Sequence, residues 1–300
     1  MNLRGKVAFI TGGVSGIGLG IAQAFAEAGI DLILSYRNET YRAAAQDWFG
    51  QNGYPIPRFV QLDVTDRANF GAIAAQVGKV HFLVNNAGIS VFGPTDEASY
   101  DDYDWIMGVN FGGVVNGLVS FIPHIKAHGE GGHIVNVASM AAFLSGPQAG
   151  IYTASKFAVR GLTESLRYNL APYGIGVSLM CPGLTKTNAW DSALNRPDAY
   201  AQSGFAAPDR SELAQFGTAF DLGMEPLEVG RKTLAGIVAN AGLILTHPEF
   251  TEDFQEIYNT SLAALPDEMA PEGRLHIEQL RRAANKAAAG GKHISLEDLT

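Results

Sequence analysis

Short apolar runs alternate with longer, helix-length segments along most of this chain. Runs of strand length fall at Val7–Ile10, Leu32–Tyr36, Arg58–Leu62, Val80–Val84, His133–Ala138, Gly176–Met180 and Leu243–Thr246. Several are apolar at nearly every position, the pattern of parallel strands covered on both faces. Helices are predicted between them, over Gly18–Ala28, Thr40–Phe49, Arg67–Val77, Asp102–His128, Ile151–Tyr173 and Leu227–Ala239. Alternation of this kind needs crossover connections, so an α/β fold with a doubly wound parallel sheet is predicted. Ligands of such sheets bind beyond the carboxyl ends of the strands, which raises the functional weight of residues there.

Two segments break the rhythm. Residues 186–224 mix Pro, Gly, Ser and aromatic residues with no clean period, as expected of an insertion that covers a substrate. After the last strand, helix-like stretches recur around Glu252–Ala264 and Pro271–Ala288. The expected organisation is one sheet domain over 1–247, carrying a lid at 186–224, and a C-terminal helical extension over 248–300.

Composition narrows the partners. With 300 residues, 47% of them hydrophobic, the chain can bury a large core. A net charge of -9 disfavours nucleic acid and anionic membrane as partners. No apolar run approaches the roughly 20 residues that span a bilayer, and Val7–Ile10 is too short for the apolar stretch of a secretory leader. The single cysteine, Cys181, excludes an internal disulfide and fits a reducing compartment, so a cytoplasmic location is expected. Its apolar surroundings in sequence suggest a buried structural thiol. His124 and His128 share one helical face, but no third ligand is identifiable. They read as solvated histidines near a helix C-terminus, and no metal site is expected.

Candidate chemistry begins at Thr11-Gly12-Gly13-Val14-Ser15-Gly16-Ile17-Gly18, between the first strand and the first helix. A glycine-rich turn on its own can be an ordinary loop. In this position Gly12 allows a tight turn, Gly16 lets backbone approach a pyrophosphate, and Gly18 permits close helix–sheet packing. The helix N–H groups and dipole then face the phosphates. Farther on, Tyr152 and Lys156 stand at i and i+4 on one helical face, and Ser139 follows the strand that ends at Ala138. A lone phenol holds its proton too tightly for acid–base work at neutral pH. An ammonium and an oxidised nicotinamide nearby favour the phenolate. Such a group can give a proton to a carbonyl as hydride arrives, or take one from an alcohol as hydride leaves, while Ser139 holds the reacting oxygen.

These motifs, in this order over about residues 5 to 247, resemble the short-chain dehydrogenase/reductase family. The resemblance implies a single Rossmann-type domain and a catalytic tetrad of Asn110, Ser139, Tyr152 and Lys156. It implies cofactor contacts from Gly12, Ser15, Gly16, Ile17 and Gly18 in the first turn, and from Tyr36 and Arg37 after the second strand. Asp63 and Val64, then Asn86, Ala87 and Gly88 of the motif that starts at Asn85, follow after the third and fourth strands. Tyr152, Lys156, Pro182, Gly183, Thr185 and Thr187 complete the set on the nicotinamide side. Thr185 departs from the aliphatic residue common there. A homodimer or homotetramer is implied as well, through the two long predicted helices.

Cofactor and substrate follow from finer detail. An NAD site wants a carboxylate at the end of the second strand; here Tyr36 stands there, followed by Arg37. A guanidinium suits a 2′-phosphate, so NADP(H) is favoured over NAD(H). The expected reaction interconverts a secondary alcohol and a ketone. Val91, Phe92, Met140, Phe143 and Trp190 suggest a bulky apolar or aromatic substrate, with Arg196 and Arg210 leaving an acidic one open. Several stretches, Tyr100–Trp105 among them, resemble a subgroup that includes bacterial Cα-dehydrogenases of lignin-derived aryl ethers. Because that subgroup favours NAD, an NAD-dependent benzylic alcohol dehydrogenase is the alternative, and a non-catalytic NADP-sensing protein a further one.

Overall fold

Alternate residues of the inner strands and of β3 feed two different cores. On β1 (Val7–Ile10), Phe9 joins one cluster while Ala8 and Ile10 join the other. The same division runs through β2 (Asp31–Tyr36), β3 (Arg58–Gln61), β4 (Phe82–Asn85), β5 (Gly132–Val137) and β6 (Ile175–Cys181), whereas β7 (Leu243–Leu245), at the sheet edge, buries Ile244 in the second cluster and leaves Leu243 and Leu245 exposed. The computed structural model describes residues 3–207, 209–295 and 298. All seven strands are parallel, in the order β3-β2-β1-β4-β5-β6-β7.

One face is covered by α1 (Gly16–Glu27), α2 (Glu39–Gln51) and, from later in the chain, Pro226–Val238, through Ile21, Phe25, Phe49, Val229 and Ile237. The other is covered by α3 (Arg67–Gln76), α4 (Tyr100–Met107), α5 (Gly113–Ala127) and α6 (Gly150–Leu170), which bury Phe70, Trp105, Phe121 and Val159. The chain winds one way from β1 to β3 and the other way from β4. A crevice therefore opens at the carboxyl ends of β1 and β4. The doubly wound α/β fold read from the sequence is the fold observed.

Some boundaries move for physical reasons. The fourth strand starts at Phe82 rather than Val80, because Val80 is buried in the preceding connection. Its apolar character reports burial, not pairing. The helix expected over Asp102–His128 starts at Tyr100, where Ser99 and Asp102 form a capping box, and Gly108–Gly112 is a π-helical turn within it. The continuous run Tyr100–Ala127 is, by length and composition, apolar enough to cross a membrane, which corrects the expectation that no stretch approaches that length. Of its most apolar window, 56% is buried inside the fold, as in the core helix of a sheet protein. His128 is likewise not merely solvated: its ring bonds the Val80 carbonyl at 3.0 Å and accepts the Glu130 N–H at 3.1 Å.

The insertion is more ordered than its sequence suggests. It contains 3₁₀ turns at Asn188–Asn195 and Asp198–Tyr200 and a true helix, α7 (Arg210–Phe220), before α8 (Pro226–Val238). Asp209 caps α7 by accepting the N–H groups of Ser211 and Glu212. Leu213, Phe216, Gly217 and Phe220 repeat at helical spacing, a signal masked by the Pro and Gly on either side. The ends of the insertion are tied together where the Met224 N–H donates to Leu184 and the Lys186 N–H donates to Met224. Beyond β7 lie α9 (Thr251–Ala263) and α10 (Glu272–Ala289). Ala284 and Ala288 of α10 are buried.

Asp102 pins the middle of the insertion to the domain. Its carboxylate is fully buried. It accepts from Arg196 at 2.6 Å, the Ser203 hydroxyl at 2.7 Å and the Gly204 N–H at 2.9 Å. Arg196 also lies over the Trp105 ring, 4.7 Å from its centroid. Arg196 is thus committed to Asp102 and is not free for the acidic substrate that the sequence left open. Burial alone pushes the Asp102 pKa up, but hydrogen bonds from the Ser99 N–H, Ser203, Gly204 and the Ser99 hydroxyl outweigh it and bring the value to about 2. Asp102→Ala is expected to cost about 3–5 kcal/mol at neutral pH in a denaturant titration, since it leaves a shielded guanidinium unpaired. A carboxylate whose pKa is lowered by folding stabilises fully above its unfolded value near 4, and that contribution fades as pH falls. The wild type and the variant should therefore converge as pH drops through about 2. A gap that widens on acidification contradicts this role.

Candidate active site

The crevice is lined first by the turn between β1 and α1. Gly12 and Gly16 both adopt left-handed backbone, with φ of 60° and 49°. The Gly12 N–H donates to the Ser35 hydroxyl at 3.1 Å. Ser15 caps α1 without a side-chain hydrogen bond, and the first turn holds no acidic residue. The helix N–H groups beside Gly16 and Ile17 are therefore left to an outside anion. A Cβ on Gly18 would run into the Gly12 carbonyl and the Asn86 side chain, so only glycine lets α1 start this close to β4.

Thr11 and Asn86 stitch β1 to β4 at the mouth of the crevice. The Thr11 hydroxyl accepts the N–H groups of Asn86 and Ala87 at 2.9 and 3.0 Å. The Asn86 amide donates to the Thr11 and Gly12 carbonyls at 2.9 and 3.3 Å. Asn86 is therefore a latch that fixes the glycine turn. At the far end, Asp63 accepts the Thr65 N–H and hydroxyl at 2.9 and 2.7 Å and faces the Arg37 guanidinium at 3.5 Å. Arg37 and Asp63 are both about half exposed (46% and 45%). Tyr36 is the last residue of β2, as expected. Val64 is buried and receives the Asn116 amide on its carbonyl at 2.8 Å.

The candidate tetrad is assembled around the π turn. Asn110, buried at its centre, accepts the Ile89 N–H at 2.8 Å and donates to the Ile89 carbonyl at 3.0 Å and the Ser155 hydroxyl at 3.2 Å. Ser155 in turn donates to the Tyr152 carbonyl at 2.6 Å. Asn110 so ties the loop after β4 to the first two turns of α6, where Tyr152 and Lys156 stand. The Lys156 ammonium is buried, donates to the Val137 carbonyl at 3.4 Å and lies 5.5 Å from the centre of the Tyr152 ring. A Cβ on Gly88 would sit 3.2 Å from Asn110 and 3.5 Å from the Lys156 Nζ. Ser139 follows β5, with its hydroxyl accepting the Ala141 N–H at 3.1 Å. The next residue, Met140, donates its N–H to the Pro182 carbonyl at 3.0 Å.

The turn after β6 closes the site. Thr187 packs over the glycine turn, 3.2 Å from where a Cβ of Gly16 would be. Thr185 is buried, with its hydroxyl on the Gly183 carbonyl at 3.2 Å. Aromatic side chains roof the remainder. Phe92 lies 5.6 Å from Tyr152 and 6.1 Å from Phe216 of α7, while Phe143 is held between Arg160 at 4.1 Å and Phe254 of α9 at 4.9 Å. Trp190 packs inside the insertion, on Gly217. Cys181 is buried at the end of β6 and its thiol is pushed up to about 12 by desolvation, in keeping with a structural role. These residues fit a nicotinamide dinucleotide: an uncapped helix end for phosphates, a glycine floor, and a buried ammonium with further donor capacity for a ribose.

Four participants escaped the sequence reading. Ser35 and Ser155 act through contacts with residues distant in the chain or through backbone groups, which leave no pattern; Asp102 showed only its capping-box spacing from Ser99, not its contacts with the insertion. His247 had a signal, since it follows β7 at the carboxyl edge of the sheet, where ligands are expected.

Comparison with known proteins agrees with this geometry. Residues 6–197 match the family described as short chain dehydrogenase. The chain is 36% identical over 287 residues to the C alpha-dehydrogenase of Sphingobium sp. (strain NBRC 103272 / SYK-6), covering 93% of each. A short-chain dehydrogenase/reductase from Burkholderia phymatum, solved in complex with NAD, superposes with a TM-score of 0.81 at 35% identity, covering 90% of this chain and 99% of that one. A short-chain dehydrogenase from Novosphingobium aromaticivorans superposes with a TM-score of 0.80 at 35% identity, covering 95% and 98%. This chain belongs to the short-chain dehydrogenase/reductase family and is an oxidoreductase. Its fold is one that binds NAD or NADP.

Proposed function

We propose that this protein interconverts a secondary alcohol and a ketone on a bulky, apolar or aromatic substrate, with NADP(H) as cofactor. The observation that carries the reading is the meeting of Tyr152, Lys156 and the Ser139 strand end at the mouth of a dinucleotide crevice. A bound nicotinamide supplies or accepts the hydride. Tyr152 gives its proton to the carbonyl oxygen, or takes one from the hydroxyl, while Ser139 holds that oxygen by hydrogen bond. The Lys156 ammonium, shielded from water, stabilises the phenolate more strongly than an exposed cation could. Asn110 acts on this pair through Ser155 and the backbone of α6. The insertion 186–224 forms the substrate cover, with Phe216 bringing α7 against Phe92 and so against Tyr152. The named activity of the Sphingobium relative supports an aryl alcohol or ketone.

Tyr152→Phe is expected to lower kcat about 10²-fold or more with cofactor affinity retained, because proton transfer is lost. Spectrophotometric assays over aryl and small aliphatic ketones and alcohols check it. Activity within a few-fold of wild type removes Tyr152 from its role, and a preference for small aliphatic substrates removes the aromatic pocket.

NADP(H) is supported by Arg37, one residue beyond β2, where a carboxylate would otherwise accept the ribose hydroxyls. The second reading, an NAD-dependent benzylic alcohol dehydrogenase, is favoured by the Arg37–Asp63 pair and by NAD in the Burkholderia structure. The pair is exposed and weak enough for a 2′-phosphate to compete with it. Arg37→Ala should lose about ten-fold to a hundred-fold in NADPH over NADH preference, the worth of a hydrogen bond to a charged group. Wild-type kcat/KM higher with NADH, together with an unchanged ratio in the variant, establishes the second reading.

Self-association as a dimer or tetramer belongs to the same proposal. Phe111, Val115, Val119 and Ile122 of the π turn and α5 line an apolar groove with Leu162 and Leu166 of α6, a face suited to isologous pairing. Sedimentation at micromolar concentration is expected to show a dimer or larger. A 31.9 kDa species alone refutes it.

A further inference from the structure

The connection from β7 to α9 packs directly against the turn after β6. His247 is buried, and its ring spans two consecutive backbone groups of that turn. Its Nδ1 accepts the Gly183 N–H at 2.9 Å, and its Nε2 lies 2.8 Å from the Leu184 carbonyl. The Thr246 hydroxyl lies 2.7 Å from the same Nδ1. An N–H donor on one side and a carbonyl acceptor on the other select a single neutral tautomer, with the proton on Nε2. The Phe250 ring completes the clamp. A Cβ on Gly183 would come 2.8 Å from Phe250 and 2.9 Å from His247, so the turn has no slack towards this side. One residue earlier in the turn, the Pro182 carbonyl receives the Met140 N–H, next to Ser139.

We infer that His247 is a positioning residue of the cofactor site, holding the Pro182–Leu184 backbone at the depth the nicotinamide end of the dinucleotide requires. The inference rests on the reading of residues 182–187 as the nicotinamide-side turn. An imidazole suits the task because it engages both backbone groups from one rigid ring, whereas a flexible side chain would hold one at a time. Through this contact the C-terminal segment, outside the sheet, becomes part of the cofactor site.

The test is direct binding of nucleotide, without turnover. NADPH and NADH are titrated by fluorescence into full-length wild type, His247→Ala, His247→Asn and His247→Gln, with Tm measured in parallel, and the tighter nucleotide is used throughout. Asn places its Oδ1 where Nδ1 stood and keeps an acceptor for Gly183; Gln places its Nε2 near the ring Nε2 and keeps only the Leu184 donor. His247→Ala is expected to raise Kd about ten-fold, the worth of a lost buried hydrogen bond that leaves its partner unsatisfied, and His247→Asn to recover most of that loss. His247→Ala within two-fold of wild type overturns the inference, as does equal weakening in Ala, Asn and Gln that follows a fall in Tm. If His247→Ala does not fold, the other two decide: tighter binding by Asn than by Gln supports the assignment, and equal binding overturns it. A wild type that binds neither nucleotide overturns the functional reading and this inference with it.

Discussion

The close approach of α1 to the β1–β4 seam is the constraint on which the site depends. Gly18 leaves no room for a methyl group between the helix, the Gly12 carbonyl and the Asn86 amide. That contact holds the positive end of α1 at the place in the sheet where neighbouring crossovers diverge. Thr11 and Asn86 then spend four hydrogen bonds on fixing the turn to β4. An anion-binding turn needs its backbone N–H groups free and its geometry rigid, and these are competing demands. The chain meets both by bracing the turn through side chains and carbonyls while leaving the N-terminal N–H groups of α1 without a side-chain cap.

A second consequence concerns the buried ammonium of Lys156. A shielded cation is costly unless it is paired or hydrogen-bonded, and within the chain its hydrogen bond to Val137 is long at 3.4 Å. Its remaining donor capacity is what a ribose and a phenolate require under the proposed function. At the neighbouring π turn, a regular helix would carry Asn110 past the Ile89 backbone, whereas the wider turn lets one amide bond both Ile89 groups and still reach Ser155.

What could be read from the sequence divides along the same physical lines. The sheet, its parallel sense and the glycine turn were legible because apolar period and glycine spacing are local and nearly obligatory. Tyr152, Lys156 and Ser139 were legible because they stand at fixed offsets from a strand end and on one helical face. The π turn was not, since nothing in Gly108-Val109-Asn110-Phe111-Gly112 distinguishes one extra residue per turn from an ordinary helix until Ile89 and Ser155 are placed beside it. Nor was the fate of Arg196. A guanidinium in an irregular segment reads as available for ligand, and only tertiary contact shows it bound to Asp102, nearly a hundred residues earlier. Boundaries slipped where burial and strand pairing separate, as at Val80.

The insertion over residues 186–224 is therefore held in two different ways. At residues 196–204 it is fixed by a buried carboxylate with four polar partners from the insertion and the Ser99 cap, an arrangement with little freedom to rearrange. At α7 it is held by apolar ring contacts, Phe216 edge-on to Phe92 and Trp190 over Gly217, which are individually weaker than charge-assisted hydrogen bonds. Rearrangement is easier across the second kind of contact than the first. The fixed portion sets the position of the insertion, and the aromatic portion reaches Phe92 and, through it, Tyr152. The C-terminal segment repeats the division: His247 is bound by directional hydrogen bonds to backbone, and Phe254 meets Phe143 edge to face. In both attachments, polar contacts fix the backbone, and aromatic rings fill the space between the attached segment and the sheet domain.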